Sequence, residues 1–394
     1  MSKSILMKLR RLHGKYHDAK EQYLHERETR ELIKRGRNLS RHLAKNSPPA
    51  TEDYPVDFVV LWVDGNDPEW AAEKQKYMGE SAKIKDSNHE ARWRNWDNLQ
   101  YWFRAVEKYA PWVRQIYFVT WGHIPEWLNT ENPKLRIINH KDYIPQEYLP
   151  TFCTCPIEMN LWRISGLSEH FVFFNDDEFL AQPVEKSDFF YKGLPKYCAI
   201  AIPGYPSDHM TTWEHMKFNA AGIINSRFNV REAIRNNPEK WFSYKYSKLI
   251  KYNIRAYEDG GICGMFYPHV GIPCRVSTMK EVWESVGELL DKSCMHKFRS
   301  MGALIFQLFE LWEIFKGTFE PVDWNYYGFA GNVIPENLSR FEEFIIQEKG
   351  KMICINDSEQ LKSEDFENIK NAILQTFESK FPQRSTFELF ELKK

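Results

Sequence analysis

The stretch that most constrains this chain is residues 58–63, six consecutive apolar residues (FVVLWV) that break into Asp64-Gly65-Asn66-Asp67-Pro68. The run has no period-2 alternation, so it fits a strand buried on both faces, as in a parallel sheet covered by helices. The polar pentapeptide behind it is a turn signal, with short side chains that bond nearby backbone. Open α/β sheets bind ligands outside the carboxyl ends of their strands, so carboxylates and a glycine released there mark a candidate site. A plain solvated turn explains the same five residues.

The rest of the pattern agrees with such a sheet. Residues 115–120 and 135–139 are further short apolar runs. Between the first two runs, residues 97–110 put Leu99, Trp102, Phe103, Val106 and Ala110 on one helical face, with Asp97 as N-cap. Strand, helix, strand at this spacing is a right-handed βαβ unit. Residues 170–174 (HFVFF) make a fourth strand that runs straight into Asn175-Asp176-Asp177-Glu178. Two strands of one sheet then end in clustered carboxylates, which solvated turns explain less easily than one.

Residues 70–85 read as helix or loop, 157–167 as a helix, and 185–260 as an insertion covering the site, with a helical stretch at 218–234. Residues 280–315 read as two helices, the first ending near Lys292 and the second starting near Phe298-Arg299-Ser300. A late strand at 352–355 ends in Asn356-Asp357, and 364–381 is an amphipathic helix. The fold class is α/β: a mainly parallel, Rossmann-like sheet covered by helices, with a helical insertion and a basic N-terminal helical extension. The extension spans residues 1–52 and a single domain spans 53–394.

The net charge of −1 announces no nucleic-acid partner. It conceals an asymmetry, because residues 1–50 hold 13 Lys/Arg against 5 Asp/Glu, leaving −9 for the remainder. That extension reads as a solvated helix or as an electrostatic dock on an anionic membrane or a partner complex. Seven cysteines do not form a disulfide framework and suggest a reducing compartment, with the thiols as packing residues. Neither a signal-peptide core nor a membrane-length apolar run is apparent, so a soluble, cytoplasmic protein is expected.

Chemistry concentrates at a few residues. Vicinal carboxylates at a strand end, Asp176 and Asp177, suit a divalent cation, with Mg²⁺ (or Mn²⁺) natural when a diphosphate supplies the other ligands. An Asx-turn with solvated carboxylates is the plainer reading. His269, in the loop Pro268-His-Val-Gly271, is a candidate general base, although a lone histidine is more often structural. Arg299, placed at a helix start, suits a phosphate. Arg92 and Arg94 suit a second oxyanion, against a surface role for either alone. There is no Walker loop, G-x-G-x-x-G, H-E-x-x-H or G-x-S-x-G motif, which leaves simple NTPase, dehydrogenase, zincin and serine-hydrolase readings without support.

Taken in order, residues 57–67 (DFVVLWVDGND), 92–101 (RWRNWDNLQY) through 112–116, 124–128 (IPEWL), 149–152 (LPTF) and 171–179 (FVFFNDDEF) resemble the Stealth family. His269 with Lys297-Phe298-Arg299, residues 354–357 (CIND) and 381–388 (FPQRSTFE) continue the resemblance to near the end of the chain. These proteins are hexose-1-phosphoryltransferases, including bacterial capsular-polysaccharide phosphotransferases and the catalytic part of GlcNAc-1-phosphotransferase.

The resemblance implies transfer of a sugar-1-phosphate from a nucleotide-diphosphate sugar, expected to be a UDP-linked N-acetylhexosamine, to a hydroxyl of a capsular or cell-surface glycan acceptor. It implies Asp64, Asn66 and Asp67 near the nucleotide-sugar, with Asn175 and Glu158 also at the substrate. Asp176 and Asp177 would hold the metal–diphosphate, His269 would be the base, and Arg299 would contact phosphate. Asn356 and Asp357 carry a family motif without an assigned role. Residues 153–158 (CTCPIE) replace a more usual Asn-Ser stretch before the shared Ile157-Glu158, and residues 300–303 lack an expected acid, which bears on specificity. The rivals are a metal-dependent glycosyltransferase and an inactive glycan-binding subunit of a capsule-assembly complex.

Overall fold

The computed structural model describes residues 3–49, 51–79 and 89–389. Its central sheet grows from the apolar runs. Strands β1 (Val56–Trp62), β2 (Ile116–Thr120), β3 (Leu135–Asn139) and β4 (His170–Phe174) are parallel, and β8 (Ile272–Arg275) closes one edge antiparallel to β4. The spatial order is β3-β2-β1-β4-β8. Phe58, Val59, Val60, Phe118, Val119, Phe171 and Phe174 are buried, because helices and a second layer cover both faces of the sheet.

A second sheet sets β5 (Glu178–Leu180) antiparallel to β11 (Met352–Asn356), which runs parallel to β10 (Gly328–Asn332). The late strand therefore lies outside the main sheet, beside the carboxylate segment that follows β4. A small third sheet joins β6 (Phe190–Tyr191), β7 (Leu194–Tyr197) and β9 (Glu320–Pro321).

Several local expectations are corrected. The helix after β1 is α2 (Pro68–Tyr77), and the later part of the 70–85 segment, from residue 80, lies outside the described residues. Helix α3 (Leu99–Tyr109) starts one residue later than expected, after Asn98, whose side chain makes no capping bond, while Asp97 adopts φ +51° and pairs with Lys370. Helix α4 spans Thr154–Met159, earlier and shorter than 157–167, because Asn160 turns its amide back onto the Pro156 carbonyl at 2.8 Å. The 218–234 stretch is two helices, Thr212–Arg227 and Val230–Asn236, the second capped by Asn229.

The basic extension is one helix, α1 (Lys3–Asn46). One face of its C-terminal half docks on the 185–260 insertion, while most of its other residues stay exposed. A Cβ at Gly36 would lie 2.3 Å from the Pro238 carbonyl oxygen, Ser40 Oγ accepts the Tyr244 N–H at 3.1 Å, and Glu28 pairs with Arg235 at 3.0 Å. Among the described residues no helix is long and apolar enough to cross a membrane.

Candidate active site

The strand order reverses between β1 and β4, since the chain moves outward from β1 to β2 and β3 and then returns to the other side. Such a reversal opens a crevice at the carboxyl ends of the two strands, and both carboxylate segments emerge there.

On the β1 side, Asp64 Oδ1 accepts the Asn66 N–H at 2.9 Å, and Asp67 Oδ1 accepts the Trp70 N–H at 2.8 Å as the N-cap of α2. His123 Nε2 accepts the Asp64 N–H at 2.7 Å, with its Nδ1 3.8 Å from Asp67. Burial holds this ring below its ordinary pKa, so it stays neutral and keeps that acceptor. His123 carries no sequence signal of its own. Gly65 is required, because a Cβ there would sit 2.2 Å from the Trp93 carbonyl oxygen.

On the β4 side, the carboxylate of buried Glu178 accepts the Asn175 N–H at 3.2 Å and its side-chain amide at 3.1 Å. Asn175, expected at the substrate, is thus engaged in the turn itself. Asp177 Oδ1 is buried without a hydrogen-bond partner. Burial pushes the Asp177 carboxyl up, and His269 and Arg299 pull it part of the way back. Asp176 is exposed at the turn. Crowding by the surrounding protein and the Asp177 charge would push it to about 7, and the water reaching its carboxylate holds the rise below that.

His269 arrives from the far edge. Because β8 is antiparallel to β4, with Phe173 opposite Ile272, the loop entering β8 lies where β4 ends. Gly271 packs on Phe174 so closely that a Cβ would lie 2.3 Å from Cε1. His269 itself adopts φ +49°, a conformation that non-glycine residues hold only when their surroundings impose it. Oxygen, nitrogen and sulfur atoms of Asp177, His269 and Cys354 lie within 4.8 Å of one another. Cys354, expected as a packing thiol, therefore faces the site.

Arg299 does not start a helix. The first helix runs Val276–Cys294 and the next begins only at Gln307, so Arg299 lies in the intervening loop. That loop is fixed by the Lys297 carbonyl, which accepts the Phe152 N–H at 2.8 Å, and by the Asn219 amide, which donates to Met301 at 2.7 Å and Ala303 at 2.9 Å. The insertion thus buttresses the Arg299 loop. The Arg299 charge acts on Glu158, Asp177 and His269, lowering each pKa. Its Nε is buried and unpaired. Glu158, buried on α4, is raised by burial and lowered in turn by Arg299 and Arg92.

An aromatic cluster joins these distant segments. Phe152 stacks on Phe298 at 5.2 Å, Trp70 meets Phe152 at 5.8 Å, and Trp70 meets Trp93 at 4.9 Å. It ties the turn after β1, the Arg92 segment, the entry to α4 and the Arg299 loop into one wall. Arg94 points elsewhere. It pairs with Asp357 at 2.8 Å, donates to the Ser358 carbonyl at 3.0 Å and lies 4.7 Å over Phe366, so it anchors the end of β11 and is no free oxyanion clamp.

The arrangement brings Asp177, His269, Arg299, Glu158 and Arg92 into one electrostatic cluster, with Asp176 at its edge. The unpaired Asp177 Oδ1, a neutral imidazole and the arginines suit a cation-neutralised phosphoryl group.

Residues 54–82 match the model of Stealth protein conserved region 1, and residues 92–197 that of conserved region 2. The capsular polysaccharide phosphotransferase WcwK of Streptococcus pneumoniae is 42% identical over 338 residues, covering 84% of this chain and 98% of that protein. The receptor polysaccharide phosphotransferase WefC of Streptococcus gordonii is 38% identical over 85% of this chain and 99% of its own length. The exopolysaccharide phosphotransferase cps2G of Lactiplantibacillus plantarum is 35% identical over 85% and 96%. The WbbM bifunctional glycosyltransferase structure aligns with TM-score 0.34 and 11% identity over 85% of this chain and 53% of that one, a likeness that carries no argument. The chain belongs to the Stealth family.

Proposed function

We propose that this chain is a polysaccharide phosphotransferase that moves a sugar-1-phosphate from a nucleotide-diphosphate sugar onto a hydroxyl of a capsular or exopolysaccharide acceptor. The observation that carries this reading is the convergence of Asp177, His269 and Arg299 at the carboxyl ends of β1 and β4 in a chain whose full-length relatives are polysaccharide phosphotransferases.

The acceptor hydroxyl attacks the phosphorus that bears the sugar, and His269 takes its proton. The bond from that phosphorus to the bridging oxygen breaks, and nucleoside monophosphate leaves. Arg299 and Arg92 hold negative charge on the phosphoryl oxygens, in line with the weight of positioning and electrostatics in phosphoryl transfer. Asp64, Asn66 and Asp67 line the β1 side, where the nucleotide-sugar is held. Asp176 and Asp177 fit Mg²⁺ or Mn²⁺, since the unpaired, buried Asp177 Oδ1 offers a hard oxygen ligand beside a second carboxylate. Bound there, the cation would neutralise charge on the diphosphate.

The donor is a UDP-linked N-acetylhexosamine in this reading, the site of action is the cytoplasm, and the basic α1 offers peripheral contact with the inner membrane face or an export complex. The test is a screen of UDP-sugars with acceptor glycan, reading the released nucleotide. UMP together with a phosphodiester product supports the proposal. UDP with a plain glycoside replaces it with a glycosyltransferase, and binding without turnover replaces it with a glycan-binding subunit.

A further inference from the structure

The end of β11 backs the reactive groups. In a strand, alternate residues share a face, and Cys354 and Asn356 both turn toward the crevice, with Cys354 against Asp177 and the Asn356 amide 3.1 Å from His269 Nδ1. Between them, Ile355 N–H donates to the Asp177 carbonyl at 2.8 Å. The next residue, Asp357, accepts from Arg94 at 2.8 Å and holds the strand end from behind. On its other side the Asn356 carbonyl accepts the Val333 N–H at 2.9 Å. Asn356 is therefore fixed in place by its backbone and by both neighbours.

The ring that it meets is fixed as well. His269 is confined by its positive φ and by the contact of Gly271 with Phe174. Since Nδ1 faces Asn356, the nitrogen left for substrate is Nε2. A neutral imidazole carries one N–H, and a base needs its lone pair at the free nitrogen, so the proton must sit on Nδ1. Nδ1–H in turn needs an acceptor. The two ends of a side-chain amide are nearly the same shape, and a half-turn presents Oδ1 where Nδ2 stands.

We propose that Asn356 is the positioning residue that sets the tautomer of His269: its amide oxygen accepts Nδ1–H and leaves Nε2 free to take the acceptor proton. This rests on His269 being the base. One amide orientation serves both halves of the step. When Nε2 takes the hydroxyl proton as the oxygen–phosphorus bond forms, the imidazolium keeps Nδ1–H on Oδ1 and nothing has to turn. The opposite orientation would set the NH₂ group against Nδ1, force the proton onto Nε2 and remove the base. Arg94 and Asp357 act one step further out, by holding the strand end that carries the amide.

The test uses Asn356→Asp, which keeps the acceptor, and Asn356→Leu, which keeps the size and removes it. In the full chain, Asn356→Leu is expected to lose about 10²-fold or more in kcat with KM nearly unchanged, and Asn356→Asp to recover most of that loss. Long-range ¹⁵N spectra of labelled histidine, with His269 assigned by its loss in His269→Gln, are expected to show the proton on Nδ1 in the wild type and a mixed population in Asn356→Leu. An Asn356→Leu enzyme with wild-type kcat, a loss confined to KM, an Asn356→Asp enzyme as slow as Asn356→Leu, or the Nε2–H form in the wild type would overturn the proposal. The spectrum is read without turnover, so failure of the tautomer assignment is distinguishable from failure of the phosphotransferase reading.

Discussion

Gly271→Ala displaces the histidine loop without altering the histidine. The new Cβ would lie 2.3 Å from Phe174 Cε1 and 2.7 Å from Cζ, against ordinary contacts that begin at 3.4 Å. Phe174 cannot retreat, because it is fully buried against Phe58 at 4.9 Å and Trp102 at 5.6 Å. The loop must therefore shift by about 1 Å, carrying His269 with it, at an overpacking cost of about 1–3 kcal/mol. A displacement of that size from reactive geometry costs on the order of 10²-fold in rate. The assay is steady-state release of nucleoside monophosphate, with kcat and KM separated, alongside thermal unfolding to confirm that the variant is folded. We expect a kcat about 10²-fold down and a modestly lowered melting temperature. A folded Gly271→Ala enzyme with wild-type kcat would refute the argument that this contact places the base.

The remaining predictions concern charge. Arg94→Leu removes the cation paired with the largely buried Asp357 carboxylate, which keeps only neutral donors such as the Ser358 N–H, and is expected to cost about 3 kcal/mol, read from denaturant unfolding; an unchanged midpoint would contradict the anchoring role. Burial holds His269 below its ordinary value of 6.5, so at saturating cation the rate should be flat above that pH and fall on the acid side as the imidazole takes a proton. A limb centred well above 6.5 would assign the base elsewhere. Chelation should abolish turnover and added Mg²⁺ or Mn²⁺ restore it, and Asp177→Asn should raise the cation requirement about tenfold or more, measured by metal titration. Full activity in chelator would remove the cation from the account.

The parts legible in the sequence are those written in local pattern. The runs that became β1, β2 and β4 are nearly continuous in apolar residues because both faces of the sheet are covered there, and the polar ends of β1 and β4 located the crevice. The parts that were not legible depend on contacts across long separations. Arg299 reads as a helix start because a mostly apolar stretch follows it, yet the Phe298–Phe152 stack and the Asn219 amide hold it in a loop. Arg92 and Arg94 are two residues apart in the sequence, and it is the distant contacts with Asp357, Ser358 and Phe366 that make Arg94 an anchor. Cys354 and Asn356 belong to a short strand placed by partners distant in the chain, Cys354 opposite Glu178 of β5 and Asn356 beside Asn332 of β10. His123 is one histidine in a loop until Asp64 donates to it.

A donor carrying labelled phosphorus next to the sugar shows in a single turnover series which bond breaks. The label is expected to travel with the sugar into the polymer, and the same transfer to be lost in His269→Ala with the fold intact. Label remaining with the released nucleotide would contradict sugar-1-phosphate transfer.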